Sequence, residues 1–153
     1  LREAREEAMK LRSVLEEHPD LYHSGFVENA LQELCEAAVV DSIAHGRPLP
    51  GPSELGATDA SYLLGLGDAV GELRRFALEE LRRGNVAAAA DHLKTMEDIF
   101  DLLVRFDYPS GLVAMKRKQD IARSLIEKTR GELSVATRGK ALEEKLDRLE
   151  RRL

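Results

Sequence analysis

Residues 61–76, SYLLGLGDAVGELRRF, decide the fold, because they combine a helical apolar stripe with three glycines and two carboxylates. At about 100° per residue, the larger apolar side chains of this region fall on one face of a helix. The stripe comprises Leu63, Leu66, Val70, Leu73, Ala77 and Leu81. Asp68 and Glu72 fall roughly opposite it. The stretch therefore predicts a long helix that packs along one face and presents an acidic edge.

Prolines, glycines and N-cap residues indicate four more helices, which makes five in all. We predict helices over about residues 1–18, from about 21 or 24 to 45, from 58 to 84, from 85 to about 106, and from 110 to the C-terminus. Thr58, Asn85 and Ser110 are the expected N-caps, and Gly46 and Gly84 the expected stops. No strand-length alternating segment competes with this assignment, and short connections favour antiparallel neighbours. The predicted fold class is all-α, a single antiparallel helical bundle over residues 1–153.

The composition is that of one globular domain. Hydrophobic residues make up 43% and charged residues 33% of the 153 residues. The single cysteine, Cys35, excludes an internal disulfide and a multi-cysteine zinc site, and it is predicted to be a small buried side chain in a cytoplasmic protein. No apolar run reaches the ~20 residues that cross a bilayer, so no membrane association is expected. The chain opens at Leu1 in mid-helix pattern, from which we expect that an N-terminal piece is missing.

Two pairs of carboxylates lie in otherwise apolar helices. Glu33 and Glu36 belong to LQELCEAAVVDSIAHG at residues 31–46, and Asp68 and Glu72 belong to the third helix. Spacing alone favours a solvated acidic edge. However, like charges three or four residues apart repel by ~0.2–0.5 kcal/mol on a helix. Glycines inside a helix cost ~1 kcal/mol each relative to alanine, which suggests close approach of a neighbouring helix or a phosphodiester. These glycines are Gly65, Gly67 and Gly71.

If the two pairs meet, their oxygen ligands suit Mg²⁺ or Mn²⁺, and such a site could activate water and neutralise charge on a phosphate. A di-iron bundle is the competing metal site, and it needs Glu-x-x-His on two helices. None of the four histidines has a glutamate three residues before it. We therefore expect the histidines to be surface or capping residues. Neither a P-loop nor a nucleophile elbow is present.

Three stretches resemble one known family. They are LQELCEA at residues 31–37, YLLGLGDAVGELRRFALEELRRGN at residues 62–85 and FDYPSGLVAMKRKQDIARSLIEKTRGEL at residues 106–133. They are similar to the translin superfamily, which comprises translin and translin-associated factor X, and the similarity spans about residues 22–135. The acidic set resembles that of the catalytic factor-X type. The chain lacks the insertion that eukaryotic factor X carries between the second and third helices, which implies a prokaryotic, archaeal homologue.

The resemblance implies a function. Members of this superfamily form hollow oligomeric shells, bind single-stranded or short duplex RNA and also DNA, and with their catalytic subunit act as Mg²⁺-dependent endoribonucleases. Carried over to this chain, the catalytic and metal-binding residues are Glu33, Glu36 and Asp68, with Glu72 as a fourth. The expected cofactor is Mg²⁺ or Mn²⁺. The expected partners are RNA, single-stranded DNA as a further ligand, and copies of the same chain in an octamer or hexamer.

Basic residues complete the expected site. The net charge of −5 argues against a general nucleic-acid binder, yet an acidic total permits a local basic track. In a closed shell, this track could face the cavity and contact phosphates, whereas taken singly these residues are ordinary solvated ion-pair partners. The candidate nucleic-acid contacts are Arg74, Arg75, Lys116, Arg117, Lys118 and Arg123.

Two other functions stay open at this stage. The first is a translin-like shell that binds nucleic acid without cutting it. The second is a purely structural helical assembly protein. Leu142, Leu146 and Leu149 form a stripe near the C-terminus, which predicts either docking onto the bundle or self-association.

Overall fold

The computed structural model describes residues 1–15, 17–106 and 114–151, and all regular secondary structure in these ranges is helical. The seven helices are α1 (Arg2–Val14), α2 (Pro19–Tyr22), α3 (Gly25–Ala44), α4 (Pro52–Leu55), α5 (Asp59–Arg82), α6 (Val86–Leu103) and α7 (Met115–Glu150). The predicted all-α class and the five long helices are confirmed. The short helices α2 and α4 were not predicted, and each begins at a proline, which is favoured in the first turn.

The local start and stop signals act as predicted for the central helices. The Thr58 side chain accepts a hydrogen bond from the Ser61 backbone N–H at 3.1 Å, and that of Asn85 accepts one from the Ala88 N–H at 3.4 Å. Gly46 and Gly84 follow their helices with φ of 60° and 77°, a conformation that glycine adopts without strain. The predicted cap Ser110 lies outside the described residues.

The first helix is shorter than predicted. It ends at Val14 rather than near residue 18. Pro19 disfavours helical geometry in the residue before it, and His18 has a φ of −128°. Pro19 then begins the separate short helix α2.

Helix α5 is the centre of the bundle and packs against α3, α6 and α7. The predicted stripe from Leu63 to Ala77 is buried, and Leu81 at its end is half-buried. Met96 and Leu103 of α6 and Met115 of α7 complete the main core. A smaller apolar cluster joins α3 to α1 and α4, and Cys35 lies fully buried within it. Burial raises the pKa of the Cys35 thiol to about 12, so the thiol is protonated, as expected for a packing residue.

A polar cluster fixes the start of α3 against the start of α5. The Glu28 carboxylate accepts hydrogen bonds from the hydroxyls of Thr58, at 2.7 Å, and of Ser61. Burial would raise the pKa of Glu28, but hydrogen bonds from Ser61, Thr58 and His23 outweigh it and hold the pKa below its usual value. This anchor sets the register of the two helices that carry the acidic residues.

The C-terminal part of α7 extends away from this core. Leu142, Leu146 and Leu149 are 59%, 51% and 58% exposed, so the predicted leucine stripe does not dock onto the chain's own bundle. Self-association through this stripe stays a prediction. Among the described helices, none is long and apolar enough to cross a membrane.

Candidate functional site

Helices α3 and α5 are in close backbone contact at Gly65. A Cβ atom at this position would lie 2.7 Å from the Gln32 carbonyl oxygen, 2.8 Å from the Cys35 Cβ and 2.9 Å from the Glu36 backbone nitrogen. No side chain larger than hydrogen fits there without movement of the backbone. The glycines predicted close approach of a neighbouring helix or a phosphodiester. At Gly65 the neighbour is helix α3, and the contact lies beside the acidic residues.

The close approach brings the two predicted carboxylate pairs together. Glu36, Asp68 and Glu72 are half-buried, and Glu33 is exposed. We call these four residues the carboxylate cluster. Burial raises the pKa of Glu36, and the charges of Asp68, Glu33 and Glu72 raise it further, against a smaller opposing effect of the Lys118 ammonium. The ionised form of Glu36 is thus disfavoured first by burial and then by the three neighbouring carboxylates.

An open groove of about 520 Å³ runs along the cluster. Its polar lining comes from Glu33, Glu36, Asp41 and Glu72, and its apolar floor from alanines and a valine of α3. Asp68 does not line this groove. It lies between α3, α5 and α7, where other side chains bind it.

Asp68 has a hydrogen-bond partner on each carboxylate oxygen. The Gln32 side-chain amide donates to Oδ2 at 2.6 Å, and the Lys118 ammonium donates to Oδ1. Gly67 makes the second contact possible, because a Cβ atom there would lie 3.0 Å from the Cβ of Lys118. The Lys118 and Asp68 side chains are only 21% and 26% exposed, so solvent screens their attraction less than that of a surface pair. Nearer to solvent, Glu72 pairs with Arg75 at 2.9 Å.

The donor chemistry of the cluster fits a hard divalent cation, because four carboxylates from two helices supply only oxygen ligands. The repulsion at Glu36 is also what such a cation would relieve. As the side chains lie, however, no three acidic, histidine or cysteine residues within the described ranges form a group that could hold a metal ion. Lysine and arginine instead neutralise Asp68 and Glu72. The four-ligand site remains a prediction, and it requires these cations to move.

The predicted basic residues differ in their surroundings, and two of them contact other side chains of the bundle. Arg74 forms a two-point contact with the Glu132 carboxylate at 2.8 and 2.9 Å and donates to the Thr129 hydroxyl at 2.7 Å. Arg74 therefore joins α5 to α7. Because its guanidinium group is engaged in these bonds, we do not propose it as a phosphate contact. Arg123 lies over the Phe100 ring at 5.5 Å, and its side chain is exposed.

Two of the predicted basic residues, Lys116 and Arg117, line an open groove on α7 with a volume of about 700 Å³. We call it the α7 groove, and its lining comprises Ala114, Lys116, Arg117, Asp120, Ile121, Ser124, Leu125 and Lys128. Lys116 is weakly paired with Asp120 at 3.6 Å. Lys118, which binds Asp68, lies on the same side of α7 as Ala114 and Leu125, four residues before and seven residues after it, and both of these line the groove. The acidic cluster and one edge of the α7 groove therefore meet at Lys118.

Comparison with known proteins places this arrangement in a family. The sequence model of the Translin family matches residues 1–132. The chain belongs to the Translin family. The uncharacterized protein MJ0175 of Methanocaldococcus jannaschii is 35% identical over 151 residues, which are 98% of this chain and 67% of that protein. This archaeal relative agrees with the homologue type expected from the sequence.

Solved structures confirm the translin fold. The crystal structure of AfC3PO matches with a TM-score of 0.78 and 33% identity, over 87% of this chain and 70% of that one. A structure of AfC3PO in complex with duplex RNA matches with a TM-score of 0.75 and 31% identity, over 90% and 73% of the two chains. Apo-NeC3PO matches with a TM-score of 0.70 and 30% identity, over 86% and 71%.

Two polar residues of the candidate site were not predicted from the sequence. Gln32 orients Asp68, and Asp41 lines the acidic groove while pairing with Arg47. Helical spacing gave a signal for one of them, because Gln32 lies four residues before Glu36 and so on the same side of α3. Asp41 lies five residues after Glu36, about 140° away around α3, so spacing did not join it to the acidic edge.

Proposed function

We propose that this translin-family chain binds RNA and is a metal-dependent endoribonuclease that acts on single-stranded or short duplex RNA inside an oligomeric shell. The observation that carries the proposal is the junction at Lys118, where a cluster of four carboxylates meets a basic groove. A nuclease needs both parts side by side, one to bind the phosphate backbone and one to act on it. The AfC3PO structure with duplex RNA supports RNA as the ligand.

The basic residues hold the backbone. Lys116, Arg117 and Lys128 present ammonium and guanidinium groups along one edge of α7. Such groups neutralise phosphates and make binding depend steeply on salt, without reading the base sequence. Phosphate contacts alone do not distinguish RNA from DNA, so single-stranded DNA is expected to bind as well, in competition with RNA.

The acidic residues supply the reactive part. Glu33, Glu36, Asp68 and Glu72 would hold Mg²⁺ or Mn²⁺, which when bound polarises the phosphodiester and lowers the pKa of a coordinated water. Gln32 keeps one Asp68 oxygen in place through its amide. The backbone contact at Gly65 keeps Glu36 opposite Asp68, so both helices must keep their spacing for the cluster to act together.

The oligomer is also part of the proposal. The exposed stripe of Leu142, Leu146 and Leu149 lies on a helix of 36 residues, which is ~54 Å long. An apolar stripe on a protruding helix is stabilised when it pairs with another copy. We propose a homo-oligomer, a hexamer or octamer, whose interior contains the acidic and basic residues.

The test is cleavage of a labelled single-stranded RNA with Mg²⁺, with Mn²⁺ and with a chelator. We expect cleavage only with metal, and its loss in Glu36→Gln and in Asp68→Asn. Glu80→Gln is the matched control, because Glu80 lies on the same helix but pairs with Arg83 away from the cluster. Persistent cleavage in both cluster variants would refute the catalytic assignment.

A non-catalytic RNA-binding shell is the second candidate, and one observation favours it. Lysine and arginine already neutralise Asp68 and Glu72, as expected for residues with a structural role. Binding measurements separate the two functions. Salt-dependent RNA binding that Lys116→Ala with Arg117→Ala weakens, without any cleavage in Mn²⁺, would select the binding shell.

A further inference from the structure

Lys118 has two possible anionic partners, the Asp68 carboxylate and an RNA phosphate, and the structure shows the first. Its ammonium binds Asp68 Oδ1, and the other oxygen of the same carboxylate is held by Gln32. The stem of Lys118 lies against Gly67 of α5, where a Cβ atom would be tighter than ordinary contact. This specific fit distinguishes Lys118 from the other basic residues of α7, which are exposed on the same helix.

A divalent metal ion and this ammonium compete for Asp68. Both are cations, and a metal ion that is coordinated by Oδ1 would stand where the ammonium donates its hydrogen bond. A lysine ammonium and a divalent cation at one oxygen repel each other strongly in a site that is only partly exposed to solvent. Metal binding through Asp68 therefore requires that Lys118 leave, and the departing ammonium must find another anion or be solvated.

RNA offers that anion. Lys118 lies on the same side of α7 as Ala114 and Leu125, which line the α7 groove, so a phosphate bound at that edge of the groove lies beside it. Lysine is a point charge on a flexible four-carbon stem, and its head can change partners without movement of the helix. An ammonium that moves to a phosphate would leave Asp68 with a negative charge and an open oxygen.

We propose that Lys118 is the counter-ion of Asp68 in the metal-free protein, and that transfer of its ammonium to an RNA phosphate couples RNA binding to metal binding. This inference rests on the proposed function, because it assumes metal and RNA at the sites named above. Lys118 is a positioning residue. It makes the metal site competent only when substrate is present, and by thermodynamic reciprocity bound metal tightens RNA binding.

Mn²⁺ affinity, measured by calorimetry on the full chain, tests this without any reliance on cleavage. The titrations are made with and without a 2′-O-methyl RNA, which cannot be cleaved, and Mn²⁺ binding to the RNA alone is subtracted. For the unmodified chain, we expect RNA to lower the Mn²⁺ dissociation constant about tenfold. Without RNA, Lys118→Met is expected to have a Mn²⁺ dissociation constant about tenfold lower than that of the unmodified chain. RNA is expected to change the Mn²⁺ dissociation constant of this variant by less than about twofold.

Two variants serve as controls. Arg117→Met removes the same charge one residue away, without a bond to Asp68; it is expected to weaken RNA binding but, at RNA concentrations that saturate this variant, to keep the tenfold effect of RNA on Mn²⁺ affinity. Lys118→Arg keeps the charge and is expected to retain weak metal binding in the absence of RNA. Thermal unfolding of each variant verifies that the bundle is intact, so that a change in Mn²⁺ affinity is not a loss of fold.

The outcomes separate this inference from the proposed function. Equal coupling by RNA in the unmodified chain and in Lys118→Met would overturn the role of Lys118 and leave the metal site in place. An equal gain of affinity in Arg117→Met would show a general effect of charge and overturn it likewise. If neither chain binds Mn²⁺ at all, the metal-dependent function itself fails, and the inference with it.

Discussion

A methyl group added at Gly65 tests whether the contact between α3 and α5 positions the carboxylate cluster. In Gly65→Ala, the new Cβ atom would lie 2.7 Å from the Gln32 carbonyl oxygen and 2.9 Å from the Glu36 nitrogen. Both are backbone atoms, which cannot rotate away as a side chain can. To restore 3.4 Å, the start of ordinary contact, the carbonyl must move by about 0.7 Å, so α3 must shift relative to α5.

The free energy of unfolding should fall as a result. Overpacking that forces a backbone shift costs up to ~3 kcal/mol, and alanine regains ~1 kcal/mol of helix propensity over glycine. We expect a net loss of ~2 kcal/mol. The same shift moves Glu36 away from Asp68, so we also expect weaker Mn²⁺ binding and slower RNA cleavage.

Urea unfolding provides the measurement, and two other helical glycines provide the controls. At Gly71, a Cβ atom would meet only Leu125 Cδ1 at 4.0 Å, and at Gly139 nothing lies within 4 Å. Gly71→Ala and Gly139→Ala should therefore gain up to ~1 kcal/mol from propensity alone. If Gly65→Ala gains as much as they do, the close helix contact does not exist as described, and the reasoning is refuted.

Three further predictions concern the charges and the leucine stripe. The pKa of Glu36 is raised in the folded protein, so its ionisation lowers the stability of the fold above its folded pKa and has no effect below the ordinary value of 4.5. Glu36→Gln should therefore be more stable than the unmodified chain at neutral pH and equally stable in acid. Arg74→Gln breaks a partly buried pair with Glu132, so urea unfolding should show a loss of ~1–3 kcal/mol. Leu142→Ala with Leu146→Ala should lower the oligomer mass measured by light scattering.

Each of these predictions has a matched comparison. A stability gain of Glu36→Gln that persists unchanged in acid would show that repulsion is not its cause. Arg117→Gln should change stability by less than ~0.5 kcal/mol while reducing the salt dependence of RNA binding. If it destabilises the chain as much as Arg74→Gln, the distinction between a structural and a phosphate-binding arginine fails. Glu144→Ala, on the opposite face of α7, should leave the oligomer mass unchanged.

Most of the fold could be predicted because its signals are local. Thr58 caps the start of α5, and Gly84 follows its end with a positive φ. The apolar stripe from Leu63 to Ala77, which repeats with the helical period, is buried. These features depend on atoms within a few residues of one another. The extent of α1 was predicted less well, because no cap or glycine marks its end and Ala8 is its one buried residue, so packing gives this helix little support.

The candidate site was predictable only in part. Helical spacing put Glu33 and Glu36 on one edge and Asp68 and Glu72 on another, and the glycines indicated that a neighbour comes close. Family resemblance, not spacing, turned these edges into a proposed metal site. Gln32 was missed because an amide next to an acidic pair is indistinguishable in sequence from an ordinary solvated side chain.

The sequence by itself determined the helices, their caps and the apolar face of α5, since period, caps and backbone preferences act along the chain. Only the tertiary structure decided which charges meet. Arg74 pairs with Glu132, 58 residues away, and Lys118 with Asp68, 50 residues away. Those pairings depend on the rotation and register of packed helices, which are set by contacts such as the one at Gly65. A charged residue on a helix carries no local signal of what will lie opposite it.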